Sequence, residues 1–544
     1  MADHLLEVRD LSVEFHTAAG TVKAVQNVNW YLDRGETLAI LGESGSGKSV
    51  SASAVMNLID MPPGKITSGA ILLNGKDMLK MSAEERRAIN GAKIAMIFQD
   101  PLAHLNPVFT VGWQIAEMMT THGRPRDKAA ARARDLLHRV GLPEPDLAFG
   151  KYPHQFSGGQ RQRLMIAMAL ACKPDILIAD EPTTALDVTV QAQVLALLEE
   201  LQQETGMGLL LITHDLGVVA EIADRVVVMN GGQIVETGNA SEVYHNPQHP
   251  YTKKLIAAAP GSGEMPEESD RRGEPLLRAT DLHKYYSAFH ALKGVDLTIM
   301  PGETVAVVGE SGSGKSTLAR AILRLDDPSS GQIHYRGKDL MTLGPRELFG
   351  LRRDLQMVFQ DPTQSLNPRM TVFQLISEAW AIHPEILPRK QWRDRVAELL
   401  TKVGLKPEMA VRYPHQFSGG QRQRIAIARA LAMEPKLIVC DEAVSALDVS
   451  IQAQVIELLA GLRREMGLSY LFIAHDLPVV RDFADRVIVM KSGEIVEEGP
   501  VRQIFEAPRK DYTRALLAAS LDPDPEIQAA RRTARMELEM AVSA

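Results

Sequence analysis

The sequence predicts an α/β protein in which one α/β unit occurs twice in tandem, and three observations predict it. Short runs rich in Val, Ile and Leu enter glycine turns and are followed by helical patterns, the alternation expected of a parallel or mixed sheet covered by helices. Two long strings recur in the same order. Gly-Glu-Ser-Gly-Ser-Gly-Lys-Ser starts at 42 and again at 309, a displacement of 267, and Tyr-Pro-His-Gln-Phe-Ser-Gly-Gly-Gln-Arg-Gln-Arg starts at 152 and again at 413, a displacement of 261. A length of 544 residues exceeds one ordinary core and suits two large domains.

Taken in order, Thr37 to Leu41 and Thr304 to Val308 read as buried strands entering the first glycine loop of each copy. Ile176 to Ala179, Leu209 to Ile212, Leu437 to Cys440 and Tyr470 to Ile473 read as further buried strands. Ser68-Gly69 and Ser330-Gly331 are already displaced by 262, so most of the change in register falls in the Pro62-Pro63-Gly64 turn of the first copy. The first copy is assigned to 1–260 and the second to 275–520. Between them, 261–274 has the small, polar and charged composition of a flexible linker. The charged segment 521–544 reads as a tail, either a surface helix or loose chain.

Composition narrows the function. Hydrophobic residues at 45% and charged residues at 24% are near globular averages, and a net charge of −8 lacks the basic excess of a protein held on nucleic-acid phosphates. No nucleic-acid partner is expected. Cys172 and Cys440, the two cysteines, are far apart and each in an apolar run, which supplies no disulfide framework and no ligand set for zinc or an iron–sulfur cluster. The N-terminus has no basic segment followed by an apolar stretch, and the longest apolar runs fall well below the roughly 18 to 20 residues that cross a bilayer. The expectation is a cytoplasmic chain that meets any membrane through partners.

Gly42-Glu43-Ser44-Gly45-Ser46-Gly47-Lys48-Ser49 and Gly309-Glu310-Ser311-Gly312-Ser313-Gly314-Lys315-Ser316 have the spacing of a phosphate-binding loop. Each follows a predicted strand and precedes a helical stretch. Glycines let the backbone curl so that N–H groups converge on phosphate oxygens, and the helix N-terminus adds partial positive charge. Lys48 and Lys315 would bind the β- and γ-phosphates, and the hydroxyls of Ser49 and Ser316 would ligate Mg²⁺. The next position differs, Val50 against Thr317, so the first site loses one hydroxyl able to reach phosphate.

Asp180-Glu181 and Asp441-Glu442 each end a buried strand, where two carboxylates are costly unless a cation or a reaction uses them. The aspartates suit a Mg²⁺ shell and the glutamates a general base that polarises the attacking water. His214 and His475 follow the next strand at the same 261 displacement. Their placement is compatible with a γ-phosphate contact and equally with a structural role.

With these residues the sequence resembles the ATP-binding cassette ATPases over nearly its whole length: two tandem cassettes, each a phosphate-loop ATPase core with a helical subdomain. Ser157-Gly158-Gly159-Gln160 and Ser418-Gly419-Gly420-Gln421 look like that family's signature loop. Gln99 and Gln360 look like its Q-loop, which the resemblance adds to the Mg²⁺ set with Ser49, Asp180, Ser316 and Asp441. Ala185-Leu186-Asp187 and Ala446-Leu447-Asp448 look like its D-loop, and Phe15 and Tyr286 match the aromatic that stacks on adenine. The resemblance also implies that ATP joins the cassettes: Lys48, Asp180, Glu181 and His214 with Ser418 and Gly420, and Lys315, Asp441, Glu442 and His475 with Ser157 and Gly159. Both sites keep every expected catalytic type. Ala443 stands where the first copy has Pro182, which removes no chemical group.

Phe98-Gln99-Asp100-Pro101 leading to Leu105-Asn106-Pro107, its repeat at Phe359 to Pro368, and Asn246-Pro247 followed by His249-Pro250-Tyr251-Thr252 resemble the dipeptide and oligopeptide importer branch. Fused cassettes of this layout are similar to ATPase subunits of glutathione-type and microcin-type peptide importers. That resemblance implies two transmembrane permease subunits, an extracytoplasmic substrate-binding protein, and a place on the cytoplasmic side of the inner membrane. Some relatives carry an iron–sulfur cysteine cluster absent from this sequence. Nickel or another small solute is the alternative cargo. A soluble tandem-cassette translation factor fits worse, because such factors join their cassettes by a long charged helix.

Overall fold

The computed structural model describes residues 4–17, 20–184, 186–267, 273–445 and 447–543, with side chains omitted at 363 and from 539 onward. It forms two compact units, one holding Met1–Ala259 and Leu521–Met540, the other Pro260–Ser520 and Ala541–Ala544.

In the first unit a six-stranded sheet runs in the order Gln233–Asn239, Arg225–Asn230, Thr37–Leu41, Gly208–Thr213, Ile176–Asp180, Ile94–Ile97. The first pair is antiparallel and the rest are parallel. Parallel strands are covered on both faces, so their sequences are apolar throughout. Alternate residues then serve two cores. Leu38, Ile40, Ile176, Ile178, Leu210 and Ile212 face one apolar cluster, while Ala39, Leu41, Leu177, Ala179, Leu209 and Leu211 face another. The first cluster is roofed by an antiparallel sheet ordered Gly20–Leu32, Leu6–Thr17, Gly64–Leu73, Lys76–Asp77. The second extends into the helices Val111–Thr121, Arg126–Arg139 and Gly158–Ala169, the helical subdomain.

The second unit repeats this plan. Its six-stranded sheet runs Leu355–Val358, Leu437–Asp441, Ser469–Ile473, Thr304–Val308, Arg486–Lys491, Glu494–Pro500, and its antiparallel sheet runs Phe289–Ile299, Leu277–Tyr286, Ser330–Tyr335, Lys338–Asp339. Helices Val372–Ile382, Trp392–Lys402 and Gly419–Leu431 pack on the distal cluster. The six strands read from the sequence are all present, some longer by a residue at one or both ends.

The tail, read as a surface helix or loose chain, and the linker, read as flexible, are both held. The tail forms the helix Pro525–Ser543, and its residues up to Met540 belong to the first unit. Gln528 and Arg535 both bond the carboxylate of Glu221, whose side chain is 1% exposed, and Arg532 donates to the Glu221 carbonyl at 3.2 Å and to Glu199 at 2.5 Å. A buried carboxylate demands such partners. In the linker, the N–H of Gly261 donates to Asp482 at 2.7 Å, and Arg481 donates to the carbonyls of Gly261 and Gly263 at 2.5 and 2.9 Å. Linker residues 268–272 lie outside the described residues, as do Ala185 and Ala446 of the D-loops. Among the described residues no helix is long and apolar enough to cross a membrane.

Candidate functional site

Each phosphate loop joins the central strand of its sheet to a helix, Lys48–Met56 in the first unit and Lys315–Ile322 in the second. The glycines are dictated by space and backbone. A Cβ on Gly42 would lie 2.3 Å from the Met229 carbonyl, and one on Gly309 would lie 2.1 Å from that of Met490. Gly47 and Gly314 cap the helices in left-handed conformations, φ 100° and 104°, where other residues are strained. Inside the loop the Lys48 ammonium donates to the carbonyls of Gly42 and Glu43 at 2.7 and 2.9 Å, and Lys315 does the same to Gly309 and Glu310 at 2.8 and 2.9 Å. Both lysines are buried. The hydroxyls of Ser46 and Ser313 are buried without a hydrogen-bond partner, an arrangement that suits an incoming phosphate oxygen.

The neighbouring strands bring up the carboxylates. Asp180 is the last residue of Ile176–Asp180 and accepts from the Ser49 hydroxyl at 3.0 Å; Asp441 ends Leu437–Asp441 and accepts from Ser316 at 2.9 Å. Burial pushes Asp180 up to about 6, with the Glu181 charge adding to it against the Ser49 bond and Lys48. Asp441 is raised by the same burial.

Glu181 and Glu442 follow in left-handed backbone, φ 47° and 49°, a strained choice for glutamate that turns the chain off the sheet edge. Glu181 accepts from Gln99 at 2.7 Å and Thr184 at 3.1 Å, and its other oxygen meets His214 Nδ1 at 3.1 Å. Glu442 accepts from Gln360 at 2.6 Å and pairs with His475 Nδ1 at 3.5 Å. Burial pushes Glu181 upward, but the His214 bond and charge, Lys48 and Thr184 together hold it below its usual value. Glu442 is lowered likewise by His475 and Lys315 against burial. Burial alone would lower His475, and the bond and charge of Glu442 with the charge of Asp476 raise it instead. Each histidine therefore touches the glutamate of its own unit, a contact that spacing alone did not indicate.

Phe15 and Tyr286 sit near the ends of Leu6–Thr17 and Leu277–Tyr286 in the antiparallel sheets. The signature residues cap helices of the helical subdomains. Ser157 and Gln160 form a capping box at Gly158–Ala169, and Ser418 and Gln421 form one at Gly419–Leu431. Gly159 and Gly420 are crowded positions: a Cβ would meet Val190 at 2.5 Å and Ile451 at 2.2 Å. Within a unit the lysine, serine, aspartate, glutamate, glutamine and histidine converge, whereas the described side-chain bonds of Ser157, Gln160, Ser418 and Gln421 stay within each signature loop.

Sequence reasoning missed Thr184 and two tyrosines. The Tyr251 hydroxyl accepts from the Glu43 N–H at 3.2 Å, and that of Tyr512 from the Glu310 N–H at 3.4 Å. Glu236 anchors the segment before Tyr251 by accepting from the N–H groups of Gln248 and His249 at 2.7 and 3.0 Å; Glu497 does so for Arg509 and Lys510 at 2.8 and 3.1 Å. The signal was present in the Pro250-Tyr251-Thr252 motif and its partner Asp511-Tyr512-Thr513, but spacing does not reveal a contact 208 residues away.

Comparison with known proteins gives three findings. The family described as ABC transporter matches residues 25–184 and 292–445, and the family described as oligopeptide/dipeptide transporter, C-terminal region, matches 235–283 and 496–541. The chain is similar to the glutathione import ATP-binding protein GsiA of Shigella boydii, 49% identical with 98% of this chain and 92% of that protein covered. The Escherichia coli K12 protein of the same name is 48% identical over the same shares. Among solved structures, cbiO1 of Clostridium perfringens, described as part of the ABC transporter complex cbiONQ, is 32% identical and covers 43% of this chain and 92% of its own, with a TM-score of 0.40.

Proposed function

Because the chain belongs to the ABC transporter family of ATP-binding, ATP-hydrolysing cassettes, we propose that it is the subunit that powers a peptide importer, with glutathione-like and dipeptide cargo, from the cytoplasmic face of the membrane. The observation that carries the reading is the tie between the peptide-transporter C-terminal region and the phosphate loop, through Tyr251 on Glu43 and Tyr512 on Glu310. Two relatives of 48 and 49% identity that carry glutathione import in their names support the cargo class.

The oxygen donors suit Mg²⁺: a serine hydroxyl hydrogen-bonded to a buried carboxylate whose charge burial disfavours, in each unit, with Gln99 and Gln360 beside them. Bound there, the cation would neutralise charge on the phosphates of ATP. Lys48 and Lys315 hold the phosphate chain, and the loop N–H groups orient it. Glu181 and Glu442 are ionised at neutral pH and accept the proton of the attacking water, each kept in place by a histidine and a glutamine. The signature residues Ser157 to Gln160 and Ser418 to Gln421 offer a second set of N–H groups for the phosphates of ATP. Phe15 and Tyr286 stack on adenine.

Two permease subunits are the partners, and a substrate-binding protein outside the membrane delivers cargo to them. Beside Gln360 the second unit has an apolar groove of about 400 Å³ lined by Phe349, Phe359 and Ile382. Near Gln99 the first unit exposes Leu102, Val108, Phe109 and Trp113. Apolar patches next to the glutamines that grip the catalytic glutamates suit helices of the permease, which would thereby feel hydrolysis.

The test is uptake of radiolabelled glutathione and dipeptides by cells lacking this chain. Uptake is expected to fall and to return with the unaltered chain but not with the E181Q/E442Q variant. Uptake that never changes contradicts the reading.

A further inference from the structure

The two adenine platforms are built from opposite chemistry. In the second unit Tyr286 is 42% exposed. Its hydroxyl donates to one oxygen of Asp326, and the Thr317 side chain is close enough to favour its ionised form. The other Asp326 oxygen holds the Lys284 ammonium, which also donates to the Asp327 carbonyl at 2.6 Å and stands 5.0 Å from the centre of the Tyr286 ring. Strand register identifies the matching positions in the first unit. Val13 pairs with Val25 as Lys284 pairs with Leu292, and Phe15 pairs with Val22 as Tyr286 pairs with Phe289. Val50 and Ile59 precede Thr317 and Asp326 by the same 267 residues as the phosphate loops. Val13, Phe15, Val50 and Ile59 all belong to or pack on one apolar cluster. Four polar residues in one unit thus replace four apolar ones in the other.

An exposed ring at a strand end loses rotational freedom when a base stacks on it, and that loss weakens binding unless the ring is already held. Packing holds Phe15. Exposure deprives Tyr286 of that support, and a charge-assisted network takes its place. We propose that Lys284 and Asp326 are positioning residues of the second ATP site, fixing the Tyr286 ring before nucleotide arrives, so that affinity at the second site alone depends on an ionic network. The inference rests on Tyr286 stacking on adenine, as set out under the proposed function.

The test is photolabelling of the full chain with radioactive 8-azido-ATP and Mg²⁺, with labelled peptides assigned to each unit and half-saturation measured separately. D326N is expected to raise half-saturation at the second unit about three- to tenfold, with the first unit, maximal labelling and the ATPase rate at saturating ATP retained. D326E should recover most of the affinity, and 0.5 M salt should weaken the second site of the unaltered chain and not the first. Unchanged half-saturation at the second unit, an equal shift at both, or loss of maximal labelling that D326E does not recover overturns the proposal. Failure of the proposed function looks different: no ATP-competed label at either unit of the unaltered chain.

Discussion

Replacing Asp180 by Asn is expected to stabilise the nucleotide-free first unit while ending its Mg²⁺-dependent turnover. Asp180 is 8% exposed at the end of a fully buried strand, and burial raises its carboxyl from 3.8 to about 6. Between those values the unfolded chain has released the proton and the folded chain has not, so stability is lost as pH rises through the window. At 1.36 kcal/mol for each pH unit of separation, the loss reaches about 3 kcal/mol at pH 7. Asparagine keeps an oxygen to accept from Ser49 and has no charge to bury. For a unit of this size 1 kcal/mol corresponds to roughly 2–4 °C, so the variant's first unit should melt about 6–12 °C higher at pH 7, the gap closing below about pH 4. Scanning calorimetry of the nucleotide-free chain in chelator, from pH 4 to 8, measures this. A gap that does not change with pH, or a variant that melts lower at pH 7, would refute the reasoning.

Three further outcomes are expected. E181Q and E442Q should each reduce ATP turnover while keeping nucleotide binding, and the double variant should lose about 10²- to 10⁴-fold in steady-state hydrolysis; an unchanged rate would remove the assigned bases. Tyr251→Phe deletes the acceptor of the Glu43 N–H and should raise the KM for ATP about two- to tenfold with little change in Tm, read from ATPase kinetics in an E442Q background. Glu221→Ala leaves Arg535 and Gln528 without their buried carboxylate and should cost the first unit about 3–5 kcal/mol, seen as early proteolytic release of the C-terminal helix.

The strands and phosphate loops were legible because their signals are local. Apolar runs of five residues before a glycine turn admit one reading, and a duplicated string fixes the register of both copies. The carboxylates were legible because a buried strand ending in Asp-Glu is physically expensive. What the sequence concealed depends on distant packing. The edge strand Ile94–Ile97 is only four residues long and leads into no glycine loop. Composition described the tail as charged surface, yet Gln528, Arg532 and Arg535 gather on one helix face to meet Glu221 and Glu199, a match visible only when the first unit is folded. The Tyr251 and Tyr512 contacts and the polar set around Tyr286 were hidden for the same reason. Histidine placement gave even weight to two roles, and the folded chain adds a contact that spacing did not offer, from each histidine to Glu181 or Glu442.

The central claim is that this chain turns ATP hydrolysis into peptide import through membrane partners. Affinity purification of the tagged chain from detergent-solubilised membranes, with mass spectrometry of what accompanies it, tests that most directly. The account predicts two polytopic membrane proteins in stoichiometric amounts; ribosomal proteins with no membrane protein among them would contradict it.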